Sequence, residues 1–285
     1  MRKHEIADIS GGAKGLVVID CATCSFRHLS PIPDDSYYYS GGFYRDLKPL
    51  YAAEYEQDSE WWEMIYADWL AMLLDAPGNS ILDVGAGTGL FIKVAKHLGW
   101  NAAGVDPDYD MARKHNLIYG GYQNIGESMR GLGVITAHWV LEHLPDPHHF
   151  VQWAYDLLSP GGLLMLAIPN EWRDIQFQAA RVANKPFYWL DETHINYFDR
   201  DSLRNLLRSY GFQIINSRAY GSWTPERHII SGLNYLDDPA LGRKLHKARM
   251  RHELAMSMTN RRRMMQIKGM MGWGRDLTIV ARKPK

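Results

Sequence analysis

The segment Ile81-Leu82-Asp83-Val84-Gly85-Ala86-Gly87-Thr88-Gly89-Leu90 constrains this chain more than any other. A short apolar run carries an acid, a loop follows with glycine at every second position, and an amphipathic stretch comes next. That succession opens a nucleotide-binding βα unit. The glycines admit backbone conformations that a Cβ forbids, and they let a ligand lie against the main chain. A dinucleotide fingerprint, G-x-G-x-x-G, would need its last glycine where Leu90 stands. A P-loop would need a Lys after its final glycine, and none follows here.

The spacing Asp83-x-Gly85-x-Gly87-x-Gly89 resembles the first motif of class I methyltransferases that use S-adenosylmethionine (SAM). The resemblance implies that Asp83, Gly85, Ala86, Gly87, Thr88 and Gly89 hold that cofactor. An acid at Asp83 suits the ammonium of its amino acid head, directly or through water. Asp106 ends a second apolar run in Gly104-Val105-Asp106-Pro107, roughly twenty residues beyond the loop, where an acid accepts hydrogen bonds from the ribose hydroxyls of an adenosine. Capping of the following helix is the structural alternative for Asp106.

Around this segment the chain alternates. A helix over Glu60–Leu74 leads into strand one at Ile81–Val84, a helix at Leu90–Leu98 and strand two at Ala102–Val105. Another helix is expected at Tyr109–His115, a third strand near Tyr122–Ile125, and a fourth at Val134–Ala137. The pattern continues with a helix at His148–Leu158, strand five at Leu163–Ile168, a helix at Asp201–Tyr210, strand six at Phe212–Ile215 and strand seven at Leu277–Ala281. Strands alternating with helices predict an α/β fold: a Rossmann-like, doubly wound, mostly parallel seven-stranded sheet with an N-terminal leader and helical insertions. Residues 1–58 form a Cys- and Tyr-rich leader, and 59–285 the methyltransferase domain. Two excursions interrupt the alternation, a cap insert at 170–199 and a basic helical insert at 222–274, and long excursions inside a compact domain are usually functional.

The composition fits a cytoplasmic protein with a full core. Of 285 residues 46% are apolar, no stretch is long and apolar enough to span a membrane, and no signal core follows Met1-Arg2-Lys3-His4. Two cysteines make no disulfide framework. The net charge is zero but uneven: 13 Lys and Arg face two acids, Glu253 and Asp276, from Leu241 to Lys285.

Val134-Ile135-Thr136-Ala137-His138-Trp139-Val140-Leu141-Glu142-His143-Leu144-Pro145-Asp146-Pro147 is similar to the strand-four region of small-molecule methyltransferases, the ubiquinone-type O-methyltransferases and sugar methyltransferases among them. Gly161-Gly162, Ile168-Pro169-Asn170 and Thr193-His194-Ile195-Asn196-Tyr197-Phe198 continue that resemblance, which covers about residues 78–217. Family members usually carry Asp where Gly133 stands, and Glu127-Ser128-Met129 falls where they flank adenine. The resemblance implies methyl transfer from SAM to a small-molecule acceptor, with a hydroxyl of a sugar or biosynthetic intermediate as the expected target. Histidine suits proton removal from such a hydroxyl because its pKa lies near neutrality. His138, at the carboxyl edge of strand four, and His194, with Tyr197, are the candidate catalytic residues, and His138 and Pro107 are also expected to contact the cofactor. His143 reads as structural. Positioning alone is the alternative to a dedicated base.

The leader resembles the N-terminal segment of certain sugar methyltransferases, which bind zinc through two Cys pairs. Here Cys21-x-x-Cys24 is the only pair, with His4 and His28 as the remaining donors, and a closed zinc site needs four ligands. A remnant knuckle with two free thiols is therefore favoured over an intact zinc site. Tyr37, Tyr38 and Tyr39 are either core aromatics or acceptor-pocket residues. The basic segment 241–268 has three readings: a solvated helix, a lid or homodimer element bringing Arg261, Arg262 and Arg263 to a phosphorylated or nucleotide-linked acceptor, or a nucleic-acid contact. The acidic remainder of the chain argues against nucleic acid. RNA ribose or cap methylation and a catalytically silent SAM-fold subunit are the rival functions.

Overall fold

Three strands open the chain: β1 (Ile6–Ala13), β2 (Leu16–Cys21) and β3 (Phe26–Leu29), paired antiparallel in sequence order. The computed structural model describes residues 6–13, 16–32, 51–170, 173–184, 194–220, 229, 232–233, 238–271, 274 and 276–285. His4, Tyr37, Tyr38 and Tyr39 lie outside the described residues, as do parts of both excursions. The Gly-, Pro- and Tyr-rich composition of the leader had marked none of these strands. Val18, Ile19, Cys21, Phe26 and Leu29 are buried, which gives this small sheet an apolar side of its own.

Two helices follow, α1 (Tyr51–Gln57) and α2 (Ser59–Leu70). In α2 the spacing of Trp61, Ile65 and Trp69 puts three large apolar side chains on one buried face. Then come β4 (Ser80–Val84), α3 (Leu90–His97), β5 (Asn101–Asp106), α4 (Tyr109–His115), β6 (Ile118–Tyr119), β7 (Leu132–His138), α5 (Pro147–Leu157) and β8 (Leu158–Pro169). The remainder comprises α6 (Asp174–Val182), β9 (Asn196–Tyr197), α7 (Arg200–Ser209), β10 (Gln213–Tyr220), α8 (Pro239–Ala255), α9 (Met258–Met270) and β11 (Asp276–Arg282).

The larger sheet has seven strands in the order β10-β11-β8-β7-β4-β5-β6. The β4–β5, β4–β7, β5–β6 and β7–β8 pairs are parallel. This is the doubly wound, mostly parallel architecture that the alternation predicted. The third strand is a correction: it lies at Ile118–Tyr119, and Tyr122–Asn124, expected as strand, is a 3-10 turn. Tyr122 and Ile125 are buried, so their apolar character is real, but it fills core beneath a turn. Asp106 does not cap α4. Asp108 does, its carboxylate accepting from the Met111 amide at 2.8 Å.

Gly133 now has a physical reason. Its amide donates to Ser80 Oγ at 2.9 Å, and a Cβ there would stand 2.7 Å from the Pro77 carbonyl oxygen. The backbone of the preceding loop occupies the space that an Asp side chain would need.

The chain divides into two units. One comprises Met1–Pro33, Ile168–Asn205 and Ser217–Thr278, and the other Asp34–Ala167, Leu206–Asn216 and Ile279–Lys285. In the first unit β9 extends the leader sheet, giving the order β1-β2-β3-β9 with Arg27 opposite Tyr197. Phe26 and Phe198 pack 4.7 Å apart there. The basic segment of this unit is the helix pair α8 and α9. Asp238 caps α8 through the Leu241 amide at 3.0 Å, and Arg249 pairs with the buried Glu253 at 2.9 Å. Arg261 is buried and reaches the Met256 carbonyl oxygen at 3.4 Å, whereas Arg263 is exposed. Among the described residues no helix is long and apolar enough to cross a membrane.

Candidate functional site

The order of the larger sheet fixes where a ligand can sit. From β4 the chain builds outward through β5 and β6, then returns to place β7 on the other side of β4. In open α/β sheets ligands occupy the carboxyl ends of strands at such a reversal. Both strong sequence signals lie there. The glycine loop leaves β4, and His138 ends β7.

The loop is held open by its own backbone. Gly85, Gly87 and Gly89 have φ of 70°, 52° and 67°, the left-handed region that side chains with a Cβ avoid. A Cβ at Gly85 would also collide with Val140. The Gly85 and Ala86 amides both donate to the Val105 carbonyl, at 2.9 and 3.1 Å. Gly104, a position the sequence reading did not single out, lets β5 come this close: a Cβ there would stand 2.7 Å from that of Ala86.

Asp106 acts as a clasp. One carboxylate oxygen accepts from the Gly87 amide at 2.7 Å, the other from the Asp108 amide at 2.9 Å. Burial pushes its carboxyl up to about 6, against those two hydrogen bonds, which lower it. Each oxygen has a second lone pair, so the clasp leaves room for donors from a ligand. Pro107 follows directly and leads into the Asp108 cap.

Asp83 and His138 face one another across the β4–β7 pair. Asp83 Oδ1 accepts from Thr136 Oγ1 at 2.7 Å and lies 3.4 Å from His138 Nδ1. Burial raises Asp83 to about 7, with the Thr136 hydrogen bond opposing and the Asp106 charge adding. Burial lowers His138 to about 3. At neutral pH the pair is therefore a neutral imidazole beside a carboxyl in mid-titration. The near-neutral pKa that the sequence suggested for His138 does not hold, because the ring is enclosed. Its Nε2 is buried without a hydrogen-bond partner.

Rings surround that imidazole. Phe91 lies 4.6 Å from it, Trp69 4.8 Å and Tyr66 6.0 Å, centroid to centroid. Together with Tyr55, Tyr66, Phe91 and Trp139, His138 and Asp83 line a pocket that Gly85, Ala86, Thr88 and Leu90 complete. The Tyr55 and Tyr66 hydroxyls are 3.1 Å apart. Trp139 has φ of 55°, uncommon for a residue with a bulky side chain, and its amide donates to the Ala167 carbonyl at 2.7 Å. The sequence marked Tyr66 and its neighbours only as part of a helix leading into strand one and did not show the wall they form. The density of rings between Tyr55 and Trp69 was the available signal.

His194 and Tyr197 belong to the unit built on the leader sheet, where both are buried and Tyr197 sits in β9. His143 ends a 3-10 turn at Leu141–His143, its Nε2 4.0 Å from Glu142 Oε1. Glu127-Ser128-Met129 is a 3-10 turn. Cys21, Cys24 and His28 present ligand atoms within 4.8 Å of one another, all buried. These are three donors where a closed structural zinc site takes four, so the set among the described residues is incomplete for zinc.

A family model described as a methyltransferase domain matches residues 60–217. The chain is 25% identical over 149 residues to the C-methyltransferase NovU of Streptomyces niveus, covering 49% of this chain and 34% of that protein. It is 30% identical over 115 residues to the ubiquinone biosynthesis O-methyltransferase of Pseudomonas aeruginosa (strain UCBPP-PA14), covering 36% and 50%. The chain thus matches at most half the length of these curated relatives. A SAM-dependent methyltransferase from Thermotoga maritima superposes with a TM-score of 0.52 at 14% identity, covering 87% of this chain and 99% of that one, a likeness of fold.

Proposed function

The chain belongs to the methyltransferase-domain family in its class I form, and from that premise we propose that it transfers a methyl group from SAM to a small-molecule acceptor. The observation that carries the reading is the left-handed glycine loop, clasped by Asp106 and opening onto the cavity beside Asp83. A cradle in which a Cβ would collide suits a ligand that rests on main chain, and buried carboxyls suit its ammonium and ribose hydroxyls. The residues fit the cofactor that the family implies.

Bound SAM supplies a methyl group activated by the positive charge on its sulfur. The protein's part is to hold and orient. Gly85, Ala86, Gly87, Thr88 and Gly89 form the floor, Asp83 receives the ammonium, and Asp106 with Pro107 behind it receives the ribose. His138 is a neutral hydrogen-bonding group at the cavity wall; at a pKa of about 3 it takes no proton at neutral pH. His194, with Tyr197, remains the proposed source of a base or an acceptor ligand. A hydroxyl acceptor is proposed from the resemblance to O-methyltransferases, and the C-methyltransferase relative makes carbon the second target to screen.

Titration calorimetry of SAM, and separately of NADH, into the full chain tests the reading, followed by an acceptor screen with labelled SAM. Micromolar SAM binding without NADH binding is the expected result. Absence of SAM binding overturns it.

A further inference from the structure

The cavity over the glycine loop has an unusual balance of charge and ring surface. Four of its lining side chains are aromatic, Tyr55, Tyr66, Phe91 and Trp139, and a fifth ring belongs to His138. Among the described residues no Lys or Arg lines it, and its one acid is Asp83. Such a wall offers ring quadrupoles and a carboxylate to whatever enters, and no cationic side chain that would repel a positive charge.

Trp139 stands out in this wall. A left-handed backbone at a non-glycine residue costs of order 1–2 kcal/mol and persists only where the surroundings impose it, as happens at ligand sites. Here the surroundings are other rings. Trp139 meets Trp62 at 5.3 Å and Trp69 at 5.7 Å, while Trp62 stacks on Tyr55 at 4.7 Å with an interplanar angle of 5°. The aromatic ladder from α1 through α2 thus braces a strained tryptophan next to the cofactor loop.

We propose that this aromatic wall, with Trp139 as its discriminating member, reads the positive charge of the bound cofactor, so that the site holds SAM more tightly than its neutral product S-adenosylhomocysteine. The inference rests on the reading that SAM occupies the glycine loop. In transfer, the bond from the methyl carbon to the acceptor forms as the carbon–sulfur bond breaks. The electron pair stays on sulfur, which becomes an uncharged thioether, and the acceptor's proton leaves to water. The attraction between wall and sulfur is then lost at the moment of reaction, which assists product departure.

The test is calorimetric titration of the full chain with SAM, S-adenosylhomocysteine and sinefungin, the last carrying an amine in place of the methylated sulfur. The wild-type protein is expected to bind SAM and sinefungin roughly five- to tenfold more tightly than S-adenosylhomocysteine, the range of a partly desolvated cation–π contact. Trp139→Leu is expected to bring that ratio below about twofold with little change for S-adenosylhomocysteine, and Trp139→Phe to keep most of it. Tyr55→Leu, at a half-buried rim position, should lower the ratio in the same direction. Binding of both ligands by the wild type with equal affinity overturns the proposal while leaving the cofactor reading intact. So does an undiminished ratio in Trp139→Leu. Binding of neither ligand overturns both.

Discussion

Cofactor binding should expel protons between pH 5.5 and 7. Burial holds Asp83 at about 7 and Asp106 at about 6. At pH 6.5 the first is then roughly three-quarters protonated and the second roughly one-quarter. An ammonium brought against Asp83 favours its ionised form, so the bound state gives up that proton. Binding at pH 6.5 should release about 0.75 proton from Asp83 alone, and about one if Asp106 ionises with it. The ionised fraction of Asp83 falls from about one-half at pH 7 to about 3% at pH 5.5, so Kd should weaken roughly fifteenfold over that range. The window stays below the α-amino pKa of about 7.7, which keeps the ligand's own ammonium charged. Calorimetry in buffers of different ionisation enthalpy measures the protons directly, and Asp83→Asn should remove most of the release. A heat of binding independent of buffer, with Kd constant from pH 5.5 to 7, would refute both the raised carboxyls and the pairing of Asp83 with the ammonium. Without ligand, both acids bind protons more tightly in the folded state than at the ordinary value of 3.8. Their burial therefore costs stability fully only above about 7, and that cost is relieved as pH falls toward 4.

Gly85→Ala meets a left-handed φ of 70° and the Val140 side chain, whereas Gly99→Ala meets a φ of 88° and nothing within 4 Å. The second should cost about 1–2 kcal/mol and the first a further 1–3 kcal/mol; equal losses in denaturant melts would remove the packing argument at Gly85. His194→Ala should lower turnover while the Kd for SAM stays within about twofold, a small change in binding energy. An unchanged rate takes His194 out of the chemistry.

The sequence carried the parallel sheet because each inner strand is a run buried on both faces, and such runs read plainly from composition. β6 escaped because two exposed residues, Ile118 and Tyr119, make a strand by pairing with Val105 and Asp106 and not by any pattern of their own. The leader strands escaped for a related reason: β1 contains Gly11 and Gly12 and is paired with two register shifts. At the site, the glycine spacing was legible because backbone geometry dictates it residue by residue. The aromatic wall was not, because Tyr55, Tyr66 and Trp139 come from separate elements and meet only when α2 packs beside the end of β7. Nor could the sequence reveal that His138 is neutral, since enclosure by Phe91, Trp69 and Tyr66 is a property of the folded neighbourhood.

The pairing of β3 with β9 joins Arg27 to Tyr197, and Arg27 also contacts Asp199, 172 positions away along the chain. A ribosome adding about 5–20 residues per second leaves the open edge of β3 waiting roughly 10–30 s for its partner strand. Through that interval Phe26 lacks Phe198, and an unpaired edge is a template for other chains. The newborn protein should therefore be most prone to aggregate, and most dependent on chaperones, after the leader sheet has emerged and before residue 197 has been added.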